Sequence, residues 1–458
     1  MFVIPGIVVL VTYVYLRPHE VFSALHGLGF PTVLAIGLFG YLLDVKVGAS
    51  RRPRLSLLLV LGFAFFAWAT LTIAINAPDT LTESLLFFAG PIGFFFLISQ
   101  GVGGVRGLAV VSGAVLLVTV ALALIGVHQG LSPSVCIAGD MSTAGGAVIE
   151  SQELRPCTSR ADCVAGGVPD QDYLCEHAGL ASTTSVGGRV RYRGVFQDPN
   201  ELAWVMSMSL PFAFAWLERR PRDRRTRDRV LVGLAMVAIV ACNVMTRSRS
   251  GQIALVATLG VYFVRRFGWR GIAAGAVVAL PVLLLGGRSD ADSSTQERLE
   301  CWMQALDIWR QYPLVGVGAR LFTQHHYLTA HNSALLALAE LGPIGLGLFT
   351  AVIYAAFKIT IQVQRDFAAR PEAEAVRVGA FATFAGLTGL VASAVFLSLT
   401  YHVALWIQLA LAGAIQAAVW RHDPDWRMRW RWRDTVTVVG LDVALIAGIS
   451  VYLKLKGV

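Results

Sequence analysis

Charged side chains are scarce in this chain. Only 15% of its residues are Asp, Glu, Lys or Arg, against about 25% in ordinary soluble domains. Too few polar groups remain to coat a water-soluble core of 458 residues, and a mean hydropathy of +0.62 places the chain in lipid. Other absences narrow the reading. There is no CxxC pair, so the cysteines do not match the usual zinc-ligand hairpins. The Gly316-Val317-Gly318 run lacks the strand and helix context of a nucleotide loop. No basic segment precedes the first apolar run, and Pro5 and Gly6 interrupt it, so it reads as a span rather than a signal peptide. No long polar block supports a soluble domain, which argues against a sensor anchored by helices.

What is present is a succession of apolar runs, each near the roughly 20 residues needed to cross a bilayer as a helix. They fall at 2–16, 30–45, 55–77, 80–99, 105–128, 200–217, 230–246, 251–267, 271–287, 331–357, 378–399, 401–420 and 435–453. Helices are expected because an isolated strand would leave backbone groups unpaired in lipid. The expected fold is an all-α transmembrane bundle of 12–13 spans.

The basic residues cluster between these runs rather than on a nucleic-acid face, despite a net charge of +9. With an inside N-terminus, most of the 38 Lys and Arg residues fall on the cytoplasmic side, including the arginines of 219–229 and 421–433. That agrees with the positive-inside rule. Trp426, Trp430 and Trp432 read as interfacial anchors. The organisation that follows is 1–128 membrane helices, 129–198 an external loop, 199–287 membrane helices, 288–330 a second external loop, and 331–458 membrane helices. The first loop holds Cys136, Cys157, Cys163 and Cys175. In an oxidising compartment these form two disulfides, with three possible pairings. Cys242 lies in an apolar run and reads as inert, and Cys301 has no assignment.

The external segments carry the chemistry. Arg189, Arg191 and Arg193 alternate, so an extended chain would point them to one side. Guanidinium forks suit a diphosphate, and lipid headgroup contact is the competing reading. Asp198-Pro199 reads as a helix cap followed by proline at the first helical position. Ser294 to Glu297 reads as a capping box. After it, Leu299, Trp302, Leu306 and Trp309 form the apolar face of an amphipathic helix that ends at Pro313. Arg298 would then sit in the first turn, where a cation is disfavoured, so it wants an anionic partner: Glu297, Asp307 or a ligand. Arg247 and Arg249 stand in a short turn between spans. His331 stands at the start of the tenth span, where a helix N-terminus keeps the imidazole neutral and able to accept a proton. The competing reading is an interfacial histidine that packs. His325 and His326 are weaker candidates. Glu340, inside that span, reads as hydrogen-bonded to neighbouring helices or as functional.

The stretches RxxGxFxDPNxLA (191–203), TxSRSG (246–251), ERxxxW (297–302), PLVGVGxxxF (313–322) and HNSxLxxLAELGxIGLGLF (331–349) occur in that order. Together they resemble the O-antigen ligase/polymerase superfamily of membrane glycan transferases. The cysteine-stapled loop departs from that pattern. The resemblance implies an enzyme of the bacterial inner membrane, working at its periplasmic face without metal or cofactor. It implies a donor glycan on a polyprenyl diphosphate and a glycan, lipid or protein as acceptor. Arg193, Arg249 and Arg298 would hold the diphosphate, with His331 as base and Arg191, Asn200, Asn332 and Glu340 in support. A repeat-unit polymerase would share these motifs. A transporter or flippase of lipid-linked glycan is the rival from another class, but it would carry charges deep in several spans, where only Glu340 is clearly internal.

This topology is open to test by thiol labelling of intact cells with and without reductant. Labelling of the 129–198 cysteines is expected only from outside and only after reduction. Free labelling from the cytoplasm would invert the topology.

Overall fold

The computed structural model describes residues 2–48, 54–138, 155–165, 173–219, 226–268, 270–271, 273 and 291–457. The protein is all-α, with one two-stranded antiparallel sheet among the described residues. A helix lies on every apolar run named above except 271–287, of which all but 271 and 273 fall outside the described residues. Among the described residues, seven helices are long and apolar enough to cross a membrane: Leu57–Asn76, Pro78–Gly101, Val105–Leu131, Thr226–Met245, Ser333–Asp366, Pro371–Ala394 and Trp432–Lys456. Val3–Leu16 and Val403–Val419 are shorter apolar helices. The chain divides into two compact units, one of residues 1–7, 34–112 and 288–458, the other of 8–33 and 113–287.

We label the helices α1 (Val3–Leu16), α2 (Phe30–Lys46), α3 (Leu57–Asn76), α4 (Leu81–Gly101) and α5 (Val105–Leu131). A short α6 (Arg160–Val164) follows, then α7 (Pro199–Glu218), α8 (Thr226–Met245), α9 (Arg249–Phe267) and α10 (Ala291–Gln311). The last are α11 (Ser333–Asp366), α12 (Glu374–Ala394), α13 (Val403–Val419) and α14 (Trp432–Lys456).

In the first unit α13 is the central helix. Every residue from Ala404 to Val419 is buried, as expected of a helix apolar on all sides. It packs on α4, where Ser99 meets Gly413 closely enough that a Cβ at 413 would lie 2.4 Å from its hydroxyl. The Trp406 ring lies 4.4 Å from Phe66 and 5.3 Å from Phe65 between centroids, and Phe88 and Tyr401 extend the cluster at 5.5 Å from Phe66 and 6.0 Å from Phe65.

The sequence reading treats 331–357 as one continuous span, but α11 is broken. Gly342 sits at φ 67°, ψ −172° and Pro343 follows it. Proline has no N–H to return to the helix ladder, so carbonyls near the break need other partners. Val317 N–H donates to Ala339 O at 3.0 Å, Gly318 N–H to Glu340 O at 2.9 Å, and Trp68 Nε1 to Leu341 O at 2.8 Å. Irregular backbone is tolerated in a membrane only where protein or a lined cavity covers it. The 314–322 loop provides that cover. Close approach requires glycine on both sides: a Cβ at Gly316 would lie 2.3 Å from the Glu340 carbonyl carbon, and one at Gly342 would lie 2.2 Å from Leu314 O.

In the second unit small and polar residues join the helices. Gly126 and Gly130 of α5 face Cys242 and Met245 of α8, with room for no Cβ. Between α7, α8 and α9, Asn243 Nδ2 donates to Ala203 O at 2.7 Å, Ser207 Oγ at 3.0 Å and Gly251 O at 3.3 Å. Such close-packed small residues and interhelical hydrogen bonds hold helices together where lipid removes the hydrophobic drive. Strands β1 (Ser134–Ala138) and β2 (Tyr173–His177) pair with Cys136 opposite Cys175. The disulfides are Cys136–Cys163 and Cys157–Cys175, which resolves the pairing that the sequence left open.

A methyl at Gly342 meets both a forbidden backbone region and the Leu314 carbonyl. Gly342→Ala is expected to destabilise the purified protein by about 2 kcal/mol or more. Gly440→Ala, in α14 with nothing within 4 Å, should be neutral or stabilising. Thermal unfolding in detergent compares them, and equal midpoints would remove the cover role of the 314–322 loop.

Candidate functional site

Each unit assembles part of the residue set singled out above. In the second unit, Asp198 caps α7 through Asn200 N–H, with Pro199 at the first helical position, as the sequence indicated. Asn200 is the hub. Its Oδ1 accepts Arg189 Nη2 at 2.9 Å and Ser248 Oγ at 2.7 Å, and Arg189 Nε donates to Thr246 O at 3.0 Å. These bonds tie the arginine segment 189–193 to the turn 246–249.

The three alternating arginines do not form one free stripe. Arg191 donates to Thr184 O at 3.0 Å. Arg193 donates to Glu20 O at 3.3 Å and also to Ala181 O. Arg193 has an extended backbone, φ −88° and ψ 167°, and the 3₁₀ turn of Gly194–Phe196 follows it directly. Each guanidinium has five N–H donors, so these anchors orient the groups and leave further donors. Upstream, Glu176 of β2 fixes the Gly187-Gly188 turn. Its carboxylate accepts Gly187 N–H at 2.6 Å and Gly188 N–H at 3.1 Å, together with the Ser185 hydroxyl. The disulfide-stapled hairpin therefore sets where the arginine segment begins.

In the 246–249 turn, Ser248 caps α9 by accepting Gly251 N–H at 3.1 Å. Arg249 is the first residue of α9 and is exposed, as is Arg247. Arg247 has a left-handed backbone, φ 49°, a conformation that costs an L-residue roughly 1–2 kcal/mol.

In the first unit, His331 stands just before the α11 cap Asn332 and is also left-handed, φ 47°. Asn332 Oδ1 accepts Ala334 and Leu335 N–H, both at 3.0 Å, while its buried Nδ2 has no hydrogen-bond partner among the described residues. The segment 397–400 clasps this corner. Ser398 Oγ accepts His331 N–H at 3.0 Å and bonds Thr329 Oγ1 at 2.8 Å. Ser333 Oγ donates to Leu397 O at 2.6 Å, and Thr400 Oγ1 donates to Ser333 O at 2.8 Å. Half-buried, His331 is held by its main chain in an orientation that no regular helix would give it.

Glu340 is 2% exposed. Its Oε1 accepts Phe322 N–H at 3.0 Å, so it pins the 316–322 loop. That loop carries Arg320 at φ 67°, whose guanidinium reaches Glu83 at 3.2 Å and lies 4.3 Å from the Phe87 centroid.

Arg298 requires a correction. Helix α10 begins at Ala291, so the Ser294–Glu297 capping signal lies inside it and Arg298 is its eighth residue. The macrodipole effect fades beyond the first turn, so the argument from an unfavourable position does not hold. Asp307 pairs with Arg310 at 2.6 Å. The apolar face is as expected, with Leu299, Trp302 and Leu306 buried. Cys301 is buried on that face, near His326 Nδ1 at 3.9 Å. Burial, with Glu297 and Glu300 nearby, pushes its thiol up to about 11, which leaves it a poor nucleophile at neutral pH. His325 is exposed.

Glu176 and Ser398 organise these segments and carried no signal in the sequence beyond their polarity, and nothing in the sequence showed that Arg189 and Ser248 converge on Asn200. Their partners lie 9 to 67 positions away.

Residues 234–350 match the model of the O-antigen ligase family. The match includes Arg249, Arg298, His331, Asn332 and Glu340, and leaves out the arginine segment and Asn200. No curated protein matches the chain. The protein is thus a polytopic membrane protein carrying an O-antigen ligase family domain in part of its length.

Removing the Glu176 carboxylate leaves three donors without an acceptor, a local cost of about 1–3 kcal/mol. Glu176→Ala is therefore expected to speed tryptic cleavage after Arg189 and Arg191 by roughly tenfold or more. Asp162→Ala, which removes the exposed cap of α6, should leave that cleavage unchanged. Timed digestion of protein in nanodiscs reads the difference, and matching rates would show that the hairpin does not set the arginine segment.

Proposed function

We propose that this protein is a membrane glycosyltransferase that moves a glycan from a polyprenyl diphosphate to an acceptor hydroxyl at the periplasmic face of the bacterial inner membrane. The observation that carries this reading is the O-antigen ligase family match over 234–350, which includes the His331 corner and two of the arginines. The acceptor oxygen attacks the anomeric carbon. The bond from that carbon to the diphosphate oxygen breaks, and the carrier diphosphate leaves. His331 takes the hydroxyl proton. Negative charge gathers on the leaving diphosphate, where Arg193, Arg249 and Arg298 stabilise it. Preorganisation favours this chemistry: the Ser398 clasp fixes His331, and the carbonyl anchors fix Arg193, so little reorganisation accompanies the charge shift. In this reading the reaction needs no metal, because guanidinium groups supply the charge.

Purified protein in nanodiscs, given a polyprenyl-diphosphate glycan and an acceptor, tests the assignment. His331→Ala should bind donor but lose transfer by about 10²-fold or more. Chelator should have no effect. Arg298→Lys should lose most activity, since an ammonium cannot replace a bidentate fork. Arg227→Lys, exposed at the start of α8, should be silent. Full activity in His331→Ala, or loss to chelator with rescue by a divalent ion, would overturn the mechanism.

A further inference from the structure

We infer that Arg247 is a second oxyanion-binding arginine, acting beside Arg249 on the phosphate oxygens of the donor's diphosphate. The inference rests on the transferase reading above and extends its donor site. The turn that carries Arg247 combines a rigid backbone with an exposed side chain.

The backbone of the turn is fixed from every side. Thr246 N–H donates to Cys242 O at 3.0 Å and Arg247 N–H to Val244 O at 3.0 Å. Thr246 Oγ1 donates to Asn243 O at 2.6 Å, and Thr246 O accepts Arg189 Nε at 3.0 Å. Ser248 bonds to Asn200 and caps α9. The result places Arg247 in the left-handed region, where glycine or asparagine is the low-cost choice. Strain of this kind gathers where a surrounding framework forces it, often at functional sites.

The side chain makes no matching commitment. Arg247 is exposed, and its guanidinium lies beside Gly188, where a Cβ would be 3.6 Å from Nη1. Among the described residues neither Arg247 nor Arg249 forms an ion pair or a side-chain hydrogen bond. Two cations on one four-residue turn repel each other, and an oxyanion with several acceptor oxygens relieves that repulsion while engaging both forks. His331 occupies the same position relative to its helix, left-handed and one residue before the cap. The protein thus uses one backbone device to present two chemically active side chains at the start of a long helix.

A phosphate oxyanion can come from the donor or from a lipid headgroup, and one experiment separates them. The full chain is purified into phosphatidylcholine nanodiscs and titrated with inorganic diphosphate, with thermal unfolding as the readout. Diphosphate should stabilise the parent protein. Arg247→Gly removes the guanidinium and the strain together. It should melt no lower than the parent without ligand, yet need about tenfold more diphosphate for the same stabilisation, the size expected for one charge-assisted contact. Arg247→Asn, which also tolerates the left-handed region, should behave alike, and Arg227→Gly should not. An unchanged diphosphate midpoint in both Arg247 variants, or no response in the parent, overturns the inference. If the variants instead lose only a stabilisation by added phosphatidylglycerol, the phosphate is a lipid's and the donor assignment is wrong. Diphosphate binding is read without transfer, so active His331→Ala enzyme would sink the transferase mechanism without mimicking any of these results.

Discussion

A broken helix inside a membrane protein must find partners for its backbone within the protein. This constraint organises the first unit. Pro343 cannot donate, and Gly342 takes a conformation closed to other residues, so α11 ends its first segment with carbonyls that point out of the ladder. The 314–322 loop answers with Val317 and Gly318 N–H, and Trp68 answers from α3. Two stretches of sequence, PLVGVG at 313–318 and LAELGPIG at 338–345, thereby become one device. Each supplies hydrogen-bond partners or close contacts to the other's backbone. Glu340 belongs to the same device, because its carboxylate closes the loop at Phe322. A buried carboxylate that accepts the Phe322 N–H is thus part of what holds the loop in place.

The second unit meets a related constraint with side chains. Asn200 and Asn243 each bridge segments that ordinary packing would leave apart, and each works through short-range bonds of 2.7–3.3 Å. Outside the helices, two disulfides staple a segment too polar to build its own core. Their closed loops, of 27 and 18 residues, each remove chain entropy worth about 3 kcal/mol from the unfolded state. The stapled hairpin then carries Glu176, and Glu176 carries the turn before Arg189. Local stability outside the helices is thus converted into fixed positions for arginines.

What was legible in the sequence follows from the range of each interaction. Asp198-Pro199 was readable because a cap bonds its own second residue. The apolar runs were readable because spanning length is a local property. The break at Gly342 was not, since the deciding partners are Val317, Gly318 and Trp68, and because an all-apolar helix hides its period. The start of α10 was misplaced for a different reason: Ser294-Thr295-Gln296-Glu297 satisfies the capping pattern equally well when the helix simply continues through it. The alternating arginines suggested an extended stripe, but three different carbonyl partners, at Thr246, Thr184 and Glu20, draw them apart. Sequence named the chemistry of these side chains and could not assign their directions.

Among the described residues, the non-glycine positions with positive φ are Arg17, Ala181, Ser182, Arg247, Arg320 and His331. Four of these six carry a basic side chain. Left-handed backbone is disfavoured by a Cβ whatever the charge beyond it, so charge itself does not select the conformation. Position does: each of these four stands at the start of a helical segment, where reversing the backbone turns a long side chain away from the ladder that follows. Arg17 and Arg320 direct that reach to Glu20 and Glu83, and the ion pair accounts for the arrangement. His331 and Arg247 stand instead before the caps of α11 and α9, helices whose starts are anchored by side-chain networks. A network that rigid offsets a strained residue's backbone cost. It also removes the freedom a flexible loop would need to give up when a charged ligand binds.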